Sequence, residues 1–231
     1  SAYRLRYGVR EEAVARVVVK NRANGVRNPH AERRTPITAD EVLASPVVAW
    51  PLRALETPPL SDGVCGLVLA SAARARSLGR PIAWLRGLGW ASDTYWREPE
   101  ALVTLGPLRA AAGRAYSMAG IGAPPDAIAV AEVSDVTPYH ELMACEVLGF
   151  CAPGEGQRLL DEPRLAVNPS GGFLSANPSF ASGLVRVAEA ALQVMGRAGD
   201  RQVKGATVAL AHAASGLAAQ AHTVAILAAE T

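Results

Sequence analysis

The sequence predicts an α/β fold, and three observations carry this prediction. Short apolar runs that suit buried strands alternate with segments of helical periodicity, in the order β-α-β-α-loop-α-β-β. Thr137-Pro138 marks a helix start, because Thr favours the N-cap position and Pro favours the first helical position. Half of the 231 residues are hydrophobic while only 5% are aromatic, which predicts a core packed from Ala, Val and Leu.

The individual elements follow from periodicity and from the positions of Gly, Pro and capping residues. Helices are predicted over residues 10–24, 71–78, 104–120, 138–149 and about 180–196. Strands are predicted over residues 64–70, 82–90, 128–133, 208–210 and 222–227. The segments 46–60 and 151–166 are predicted to be loops, and Thr38 with Glu41 fits a helix capping box.

Composition excludes several classes of partner. Lys and Arg number 23 against 21 Asp and Glu, so the net charge of +2 predicts no nucleic-acid footprint. No apolar run reaches the roughly 18 residues of a membrane span. Cys65, Cys145 and Cys151 lack CxxC spacing, so we expect buried thiols in a cytoplasmic protein and no metal site. The chain begins at Ser1 rather than Met, and we expect it to be part of something longer.

The stretch from Val167 to Leu184 is rich in Gly, Ser, Asn and Pro and leads into a helix. Small residues allow a backbone to approach a ligand closely, and a helix N-terminus presents free N–H groups. The stretch therefore predicts either an oxyanion or phosphate site or an ordinary tight loop with a helix cap. It contains neither a Walker loop nor a dinucleotide fingerprint.

Four motifs in chain order carry a family resemblance. They lie at Pro59–Ala70, at Glu132–Phe150, at Asn168–Gly183 and at Ala211–Gly216. Together they resemble the thiolase superfamily, and within it the sterol-carrier-protein-type thiolases, which are often labelled lipid-transfer proteins or acetyl-CoA acetyltransferases.

The resemblance implies a thiolase-like layered fold made of the C-terminal half, the end of the N-terminal half and the loop region. It implies that residues 1–78 hold the end of the N-terminal half with the loop region, and that residues 79–231 form the C-terminal thiolase-like domain. It also implies a coenzyme A thioester as substrate, no covalently bound cofactor and a homodimer. The missing N-terminal half is then an unseen part of the same polypeptide or a separate chain.

The departures from the family pattern bear on function. Where thiolases carry Gly-His-Pro, with the His that activates a nucleophilic Cys, this chain has Ala176-Asn177-Pro178. An amide has no basic lone pair and cannot take that proton. The branch's usual His before Asp135 is Ser134 here, and the late acid/base Cys falls near Ala213. The chain therefore lacks the acid and base side chains with which a thiolase activates its nucleophilic Cys.

The remaining polar residues are expected to meet in loops at the ends of the central strands. Asn177 is the predicted oxyanion donor, and either His140 or His212 is the predicted base, with a solvated or internally satisfied His as the alternative. The candidate catalytic residues are Asn177, His212, Ser134, Asp135, His140 and Tyr139. The candidate acyl-CoA-binding residues are Ser170, Gly171, Gly172, Ser215 and Gly216. Arg27, Arg33 and Arg34 either meet the coenzyme A phosphates or are plain surface charge.

Three functions remain open. The first is retro-aldol cleavage of a 3-hydroxyacyl-CoA with a steroid or other bulky side chain, which relatives perform with an OB-fold, zinc-ribbon partner protein. The second is an acetyl-CoA acyltransferase, a thiolase whose Cys lies in the missing N-terminal half. The third is a non-catalytic acyl-CoA- or lipid-binding subunit.

Overall fold

A computed structural model describes residues 1–94, 96 and 98–230. Its helices are α1 (Ala2–Tyr7), α2 (Glu11–Val26), α3 (Ala39–Ala44), α4 (Ala72–Ser77), α5 (Pro99–Thr104), α6 (Gly106–Ala119), α7 (Pro124–Ala127), α8 (Pro138–Val147), α9 (Gly172–Ser175) and α10 (Ser182–Val194). Its strands are β1 (Val47–Ala49), β2 (Leu52–Arg53), β3 (Trp84–Ser92), β4 (Val130–Glu132), β5 (Ala166–Val167), β6 (Val208–Ser215) and β7 (Ala221–Ala228). Within the described residues, no helix combines the length and the apolarity needed to cross a membrane.

The centre of the fold is a mixed five-stranded sheet in the order β3-β7-β6-β4-β5. Strands β3, β7 and β6 pair antiparallel, whereas β4 pairs parallel with both β6 and β5. Helices lie on both faces of this sheet, so the α/β prediction is confirmed. The carboxyl ends of the parallel strands β4 and β6 meet at one edge, where Ser134 and Asp135 follow β4.

One face of the sheet is covered by α6 and α8. Their apolar side chains bury a core that includes Leu108, Ile128, Val133 and Leu210. Helix α6 approaches β3 closely at Gly89, because glycine has no side chain. A Cβ atom there would overlap the carbonyl oxygen of Ala111.

The opposite face packs on α10, and a second core there combines small residues of β6 with Ala190 and Val194. Helix α10 is only partly covered, since Leu184 and the preceding Phe180 are exposed. The N-terminal helices form a third core, in which Val14 and Val18 of α2 meet Tyr139 and Leu174. Helix α2 therefore reaches the loop between β5 and α10.

Residues 64–70 contradict the sequence prediction. The segment has no regular secondary structure, and Val64 and Val68 are 96% and 97% exposed. A strand satisfies its backbone groups only by pairing with a neighbour, and no described strand lies beside this segment. The predicted strand is therefore wrong for this structure, although its apolar pattern is real.

Candidate functional site

The loop between β5 and α10 is held in place by Asp135. Its carboxylate accepts the backbone N–H groups of Phe173 at 2.6 Å and Leu174 at 3.2 Å. Gly172 has φ +65°, and a Cβ atom on it would overlap this carboxylate. Only glycine fits there, so Gly172 serves close packing of protein on protein.

Gly171 and Ser170, two further predicted ligand contacts, also face protein. Gly171 has φ +94°, and a Cβ atom on it would press against Ser175 and the backbone of Gly25. Ser170 donates to the buried carboxylate of Glu132 at 2.7 Å and accepts from Arg186 at 2.8 Å. A role of these residues in binding acyl-CoA stays a prediction.

Below this loop lies a buried polar network that the sequence reading missed. One amide, the Nδ2 of Asn21, donates to Asp135 at 2.8 Å and to Glu141 at 2.7 Å. Lys20 forms an ion pair with Glu141 at 2.6 Å. Glu141 lies in the first turn of α8, where an acid is often plain helix-start charge, but here its side chain is buried and paired. Burial and the charge of Glu141 raise the pKa of Asp135 to about 7.

A second buried ion pair links the sheet to α10. Arg186 donates to Glu132 at 2.7 Å, and both side chains are at most 2% exposed. Burial raises the pKa of Glu132, while the charge of Arg186 opposes that rise. This pair fixes the helix that follows Asn177 against β4. Sequence spacing gives no signal for it, because 54 residues separate the two partners.

Asn177 lies where residues 58–61 cross the loop. Its backbone N–H and C=O are both bonded to Ser61, at 3.1 Å each. Its side-chain Oδ1 accepts from the hydroxyl of Ser182 at 2.6 Å. Because the carbonyl side of the amide is engaged, its Nδ2 is the group left to donate, and the side chain is only half-buried. This orientation suits an oxyanion donor.

His212 is not in a loop, as was predicted, but inside β6. The strand extends to Ser215, five residues beyond the predicted end, because β7 pairs with it along its full length. Alternation along a strand then separates neighbours: Ala213 approaches Gly183 at the start of α10, while His212 faces α8. His212 is fully buried.

Three histidines meet beneath α8. The rings of His212 and His222 stack with centroids 5.3 Å apart, and the ring of His140 lies 6.4 Å and 6.2 Å from them. Among the described residues, no group of three or more His, Cys, Asp or Glu side chains is arranged to hold a metal ion. Burial and the neighbouring His222 lower the pKa of His140 to about 4, and the pKa of His212 also lies well below its ordinary value. His140 and His212 are therefore uncharged near neutral pH.

The hydrogen bonds distinguish the two candidate bases. His212 Nδ1 accepts the N–H of Ser134 at 3.4 Å, so its proton resides on Nε2, which lies 3.0 Å from Nδ1 of His222. His212 thus has no lone pair left for a substrate. Both ring nitrogens of His140 are buried without a hydrogen-bond partner among residues 1–94, 96 and 98–230.

His140 forms part of the wall of a cavity of about 410 Å³. The tip of the β6–β7 hairpin, including the predicted ligand contacts Ser215 and Gly216, closes one side of it. Apolar side chains that include Leu102 and Met143 line the rest, and none of the lining residues is an acid, a lysine or an arginine. This cavity suits a neutral, apolar group.

The other predicted site residues have structural surroundings. Tyr139 packs into the core of the N-terminal helices, and burial raises its pKa to about 12. Burial also raises the pKa of Cys65, that of Cys145 and that of Cys151, so none of these thiols is an activated nucleophile.

Comparison with known proteins identifies the family of this chain. The family model described as thiolase C-terminal domain-like matches residues 90–229. An acetyl-CoA acetyltransferase of Methanothermobacter thermautotrophicus is 34% identical over 214 residues, which cover 89% of this chain and 55% of that protein. Human sterol carrier protein 2 is 34% identical over 220 residues, which cover 90% of this chain and 40% of that protein. The chain thus spans about half the length of these relatives.

Solved structures give the same result. The Ltp2-ChsH2(DUF35) aldolase superposes with a TM-score of 0.84 at 27% identity, over 98% of this chain and 60% of that chain. A monomeric SCP2-thiolase-like protein type 1 from Mycobacterium smegmatis superposes with a TM-score of 0.74 at 20% identity, over 100% of this chain and 49% of that chain, and supports the fold alone. This chain belongs to the thiolase superfamily, in the branch of sterol carrier protein 2 and the lipid-transfer proteins.

Proposed function

We propose that the protein cleaves the C2–C3 bond of a 3-hydroxyacyl-CoA by a retro-aldol reaction. Its family acts on acyl-CoA thioesters, and the similar structure named an aldolase covers nearly all of this chain. The substrate we propose carries a bulky apolar group on C3, such as a steroid side chain. The reaction needs a base for the 3-hydroxyl and a donor for the thioester oxygen, but no nucleophilic sulfur.

The observation that carries the proposal is the amide of Asn177. It stands where thiolases have the His that activates Cys, and an amide cannot accept that proton. Its Oδ1 is held by Ser182, which leaves Nδ2 to donate to the oxygen of a thioester. An enolate develops negative charge on that oxygen, so this donor acts most strongly in the transition state.

We assign the base to His140. It is neutral at pH 7 and borders a cavity. Its ring lies on the α8 side of the sheet with both nitrogens enclosed, whereas Asn177 precedes α10 on the other side. The assignment therefore requires that the cavity open onto this ring when substrate binds, with the acyl-CoA passing the ends of the strands between the two residues. His140 takes the proton of the 3-hydroxyl, the C2–C3 bond breaks, and C3 becomes a carbonyl carbon. The bonding electrons form the thioester enolate, and a proton added at C2 completes the shorter acyl-CoA. The step balances without an oxidant or a reductant.

The size and the lining of the cavity beside His140 support the proposal that C3 of the substrate carries a bulky apolar group. Its volume of about 410 Å³ exceeds what a two- or three-carbon acyl group fills, and its wall carries Leu102, Leu105, Met143 and Leu217. A neutral ketone leaving group matches this lining better than a charged one, since burying an unpaired charge is costly.

The proposal includes partners. Apolar side chains at Leu60, Val64, Val68, Phe180 and Leu184 are exposed, which supports an N-terminal half, in this polypeptide or another, that covers them. The similar aldolase carries two component names, Ltp2 and ChsH2(DUF35). We propose a comparable OB-fold, zinc-ribbon partner and a homodimer for this protein.

The test supplies a bulky 3-hydroxyacyl-CoA to the protein purified from its own cells with every chain that co-purifies. We expect a released ketone or aldehyde and a shortened acyl-CoA in equal amounts, without added coenzyme A. Cleavage that requires free coenzyme A and a 3-ketoacyl-CoA would instead identify a thiolase, the second candidate. That candidate is favoured by the 34% identity to the acetyl-CoA acetyltransferase. Turnover of neither substrate would favour a non-catalytic binding subunit.

A further inference from the structure

Asn21, on α2, places one amide group between two buried acids. Its side chain is fully buried, and its Nδ2 donates to Oδ2 of Asp135 at 2.8 Å and to Oε2 of Glu141 at 2.7 Å. Its own Oδ1 is enclosed without a hydrogen-bond partner in the described part of the chain. An enclosed polar atom without a partner costs free energy, so the two donated bonds are what this position gains from an amide.

The acids around this amide outnumber the cations. Lys20 forms an ion pair with Glu141 at 2.6 Å, and Arg186 forms one with Glu132 at 2.7 Å. Of the three acids, Asp135 is therefore the one without an ion pair among the residues that the structure describes. Burial and the like charge of Glu141 raise the pKa of Asp135, whereas the charge of Arg186 lowers it.

The hydrogen bonds of Asp135 require the ionised form. Its Oδ1 accepts the N–H of Phe173 at 2.6 Å, and its Oδ2 accepts the N–H of Leu174 at 3.2 Å together with the amide of Asn21. All of the hydrogen-bond partners that the structure describes for this carboxylate are donors, so an added proton would meet another proton and break at least one of these bonds. Asn21 supplies the side-chain donor among them, and a bond to the charged form favours that form.

The loop that Asp135 holds leads directly to the proposed oxyanion donor. The two backbone N–H groups on this carboxylate belong to α9, and Asn177 follows the end of that helix by two residues. The hydroxyl of Ser175, the last residue of α9, donates to the backbone carbonyl of Asn21 at 3.0 Å. Asn21 therefore acts on this loop twice, through Asp135 and through its own backbone. A misplacement of about 1 Å is enough to weaken a catalytic contact severely.

We propose that Asn21 is a positioning residue for Asn177. By donating to both acids it keeps Asp135 ionised, and the ionised carboxylate holds the loop so that the amide of Asn177 meets the thioester oxygen. The effect on catalysis rests on the proposed function, whereas the control of the loop does not. His212 of β6, which accepts the N–H of Ser134 beside Asp135, is uncharged near neutral pH and does not alter this balance.

The test is the pH profile of kcat for ketone release, measured from pH 6 to pH 9 on the protein with every chain that co-purifies. Asn21→Leu keeps the branched shape of the side chain and removes both donated bonds. Because Asp135 has a pKa raised to about 7, we expect the acid limb of the profile to move to higher pH by about one unit. The kcat of the variant is then about fivefold lower than that of the parent at pH 7 and nearly equal to it at pH 9, while KM changes less.

Asn28→Leu is the matched control. Asn28 is also buried, and its Nδ2 donates to the carbonyl of Ser170 at 2.8 Å, a neutral group at the start of the same loop. Its replacement is expected to change kcat by the same factor at every pH. A deficit of Asn21→Leu that is equal at all pH values, an unchanged profile, or the same shift in Asn28→Leu would overturn the proposal.

Glu141→Gln tests the same coupling with the opposite sign. It removes the like charge that acts on Asp135, so the acid limb should move to lower pH. This variant decides the question if Asn21→Leu does not fold. A shift to higher pH, or no shift, would contradict the role assigned to the two acids.

Hydrogen exchange in residues 170–176 separates the positioning from the reaction. At pH 7 we expect faster exchange at the N–H groups of Phe173 and Leu174 in Asn21→Leu than in the parent, because a protonated Asp135 no longer accepts both. Faster exchange without any cleavage of a 3-hydroxyacyl-CoA would uphold the positioning and reject the proposed function. Cleavage with unchanged exchange would reject the positioning alone.

Discussion

His140 and Arg22 present the same problem in two regions of the molecule. Both are at least nine-tenths buried, and both have polar atoms without partners in the described chain. The imidazole relieves this by staying neutral, with a pKa lowered to about 4. The guanidinium group cannot lose its proton near neutral pH and keeps its charge. The comparison teaches that a buried imidazole gives up its charge, whereas a buried guanidinium keeps its charge and leaves only its Nε enclosed.

The largest effect is expected from His140→Gln. Glutamine is polar and of similar size but cannot accept a proton, so the cleavage rate is expected to fall by about 10²–10⁴-fold. The measurement is the rate of ketone release at saturating substrate. His30→Gln, at an exposed His, is the control. A rate within a few-fold of the parent would remove His140 as the base and leave it as a packing residue.

A somewhat smaller effect is expected from Asn177→Ala. Loss of one preorganised donor to a developing oxyanion costs about 10²–10³-fold in kcat. Ser182→Ala keeps the amide but releases its Oδ1, so it should cost less than Asn177→Ala. If Ser182→Ala has the larger effect, the oxyanion assignment is wrong.

The uncharged state of His140 predicts a pH dependence of stability. The pKa of His140 is lowered from 6.5 to about 4, so the unfolded chain binds its proton first as the pH falls. The contribution of His140 to the free energy of unfolding is therefore fully present above pH 6.5 and is lost progressively as the pH falls towards 4. The contribution of His140 is about 3 kcal/mol at most.

Urea unfolding of the parent and of His140→Gln at pH 7 and pH 5 measures this contribution. The variant should lose less stability on acidification than the parent. The difference between the two proteins is the relevant quantity, because Asp135, with a pKa raised to about 7, changes stability in the opposite direction over the same range. An equal loss of unfolding free energy between pH 7 and pH 5 in the two proteins would show that His140 is not desolvated.

The smallest effect is expected from the cysteines. Because burial raises their pKa values, replacing Cys65 and Cys151 by Ala should leave kcat within about twofold. Ketone release before and after replacement checks this. Loss of turnover in a folded double variant would point to sulfur chemistry.

Much of the fold followed from local patterns. The helix at Pro138–Val147 starts where Thr137-Pro138 predicted, and the hydroxyl of Thr137 accepts the N–H of His140 at 3.2 Å. The periodicity of residues 180–196 predicted α10, observed at Ser182–Val194. The segment 64–70 shows the limit of such patterns, since an apolar run becomes a strand only beside another strand.

The candidate site was predictable only in part. The chemistry of Asn177 in place of His follows from the residue itself, but its orientation depends on Ser182 and Ser61. The hydrogen bond between Asp135 and Asn21 could not be predicted from the sequence, because the two residues lie 114 positions apart in the chain. Arg22 looked like any other arginine of an amphipathic helix until the packing around it was known.

By itself, the sequence determined the α/β class, the order of most elements, the family and the absence of a base at position 177. These properties depend on residue type and on short-range spacing, which the chain carries in every conformation. The tertiary structure alone decided that His212 turns away from Asn177, that His140 meets a cavity, and that Asn21 joins Asp135 to Glu141. Burial, pKa and the pairing of charges depend on groups far apart in the chain, so they come into existence only when the chain is folded.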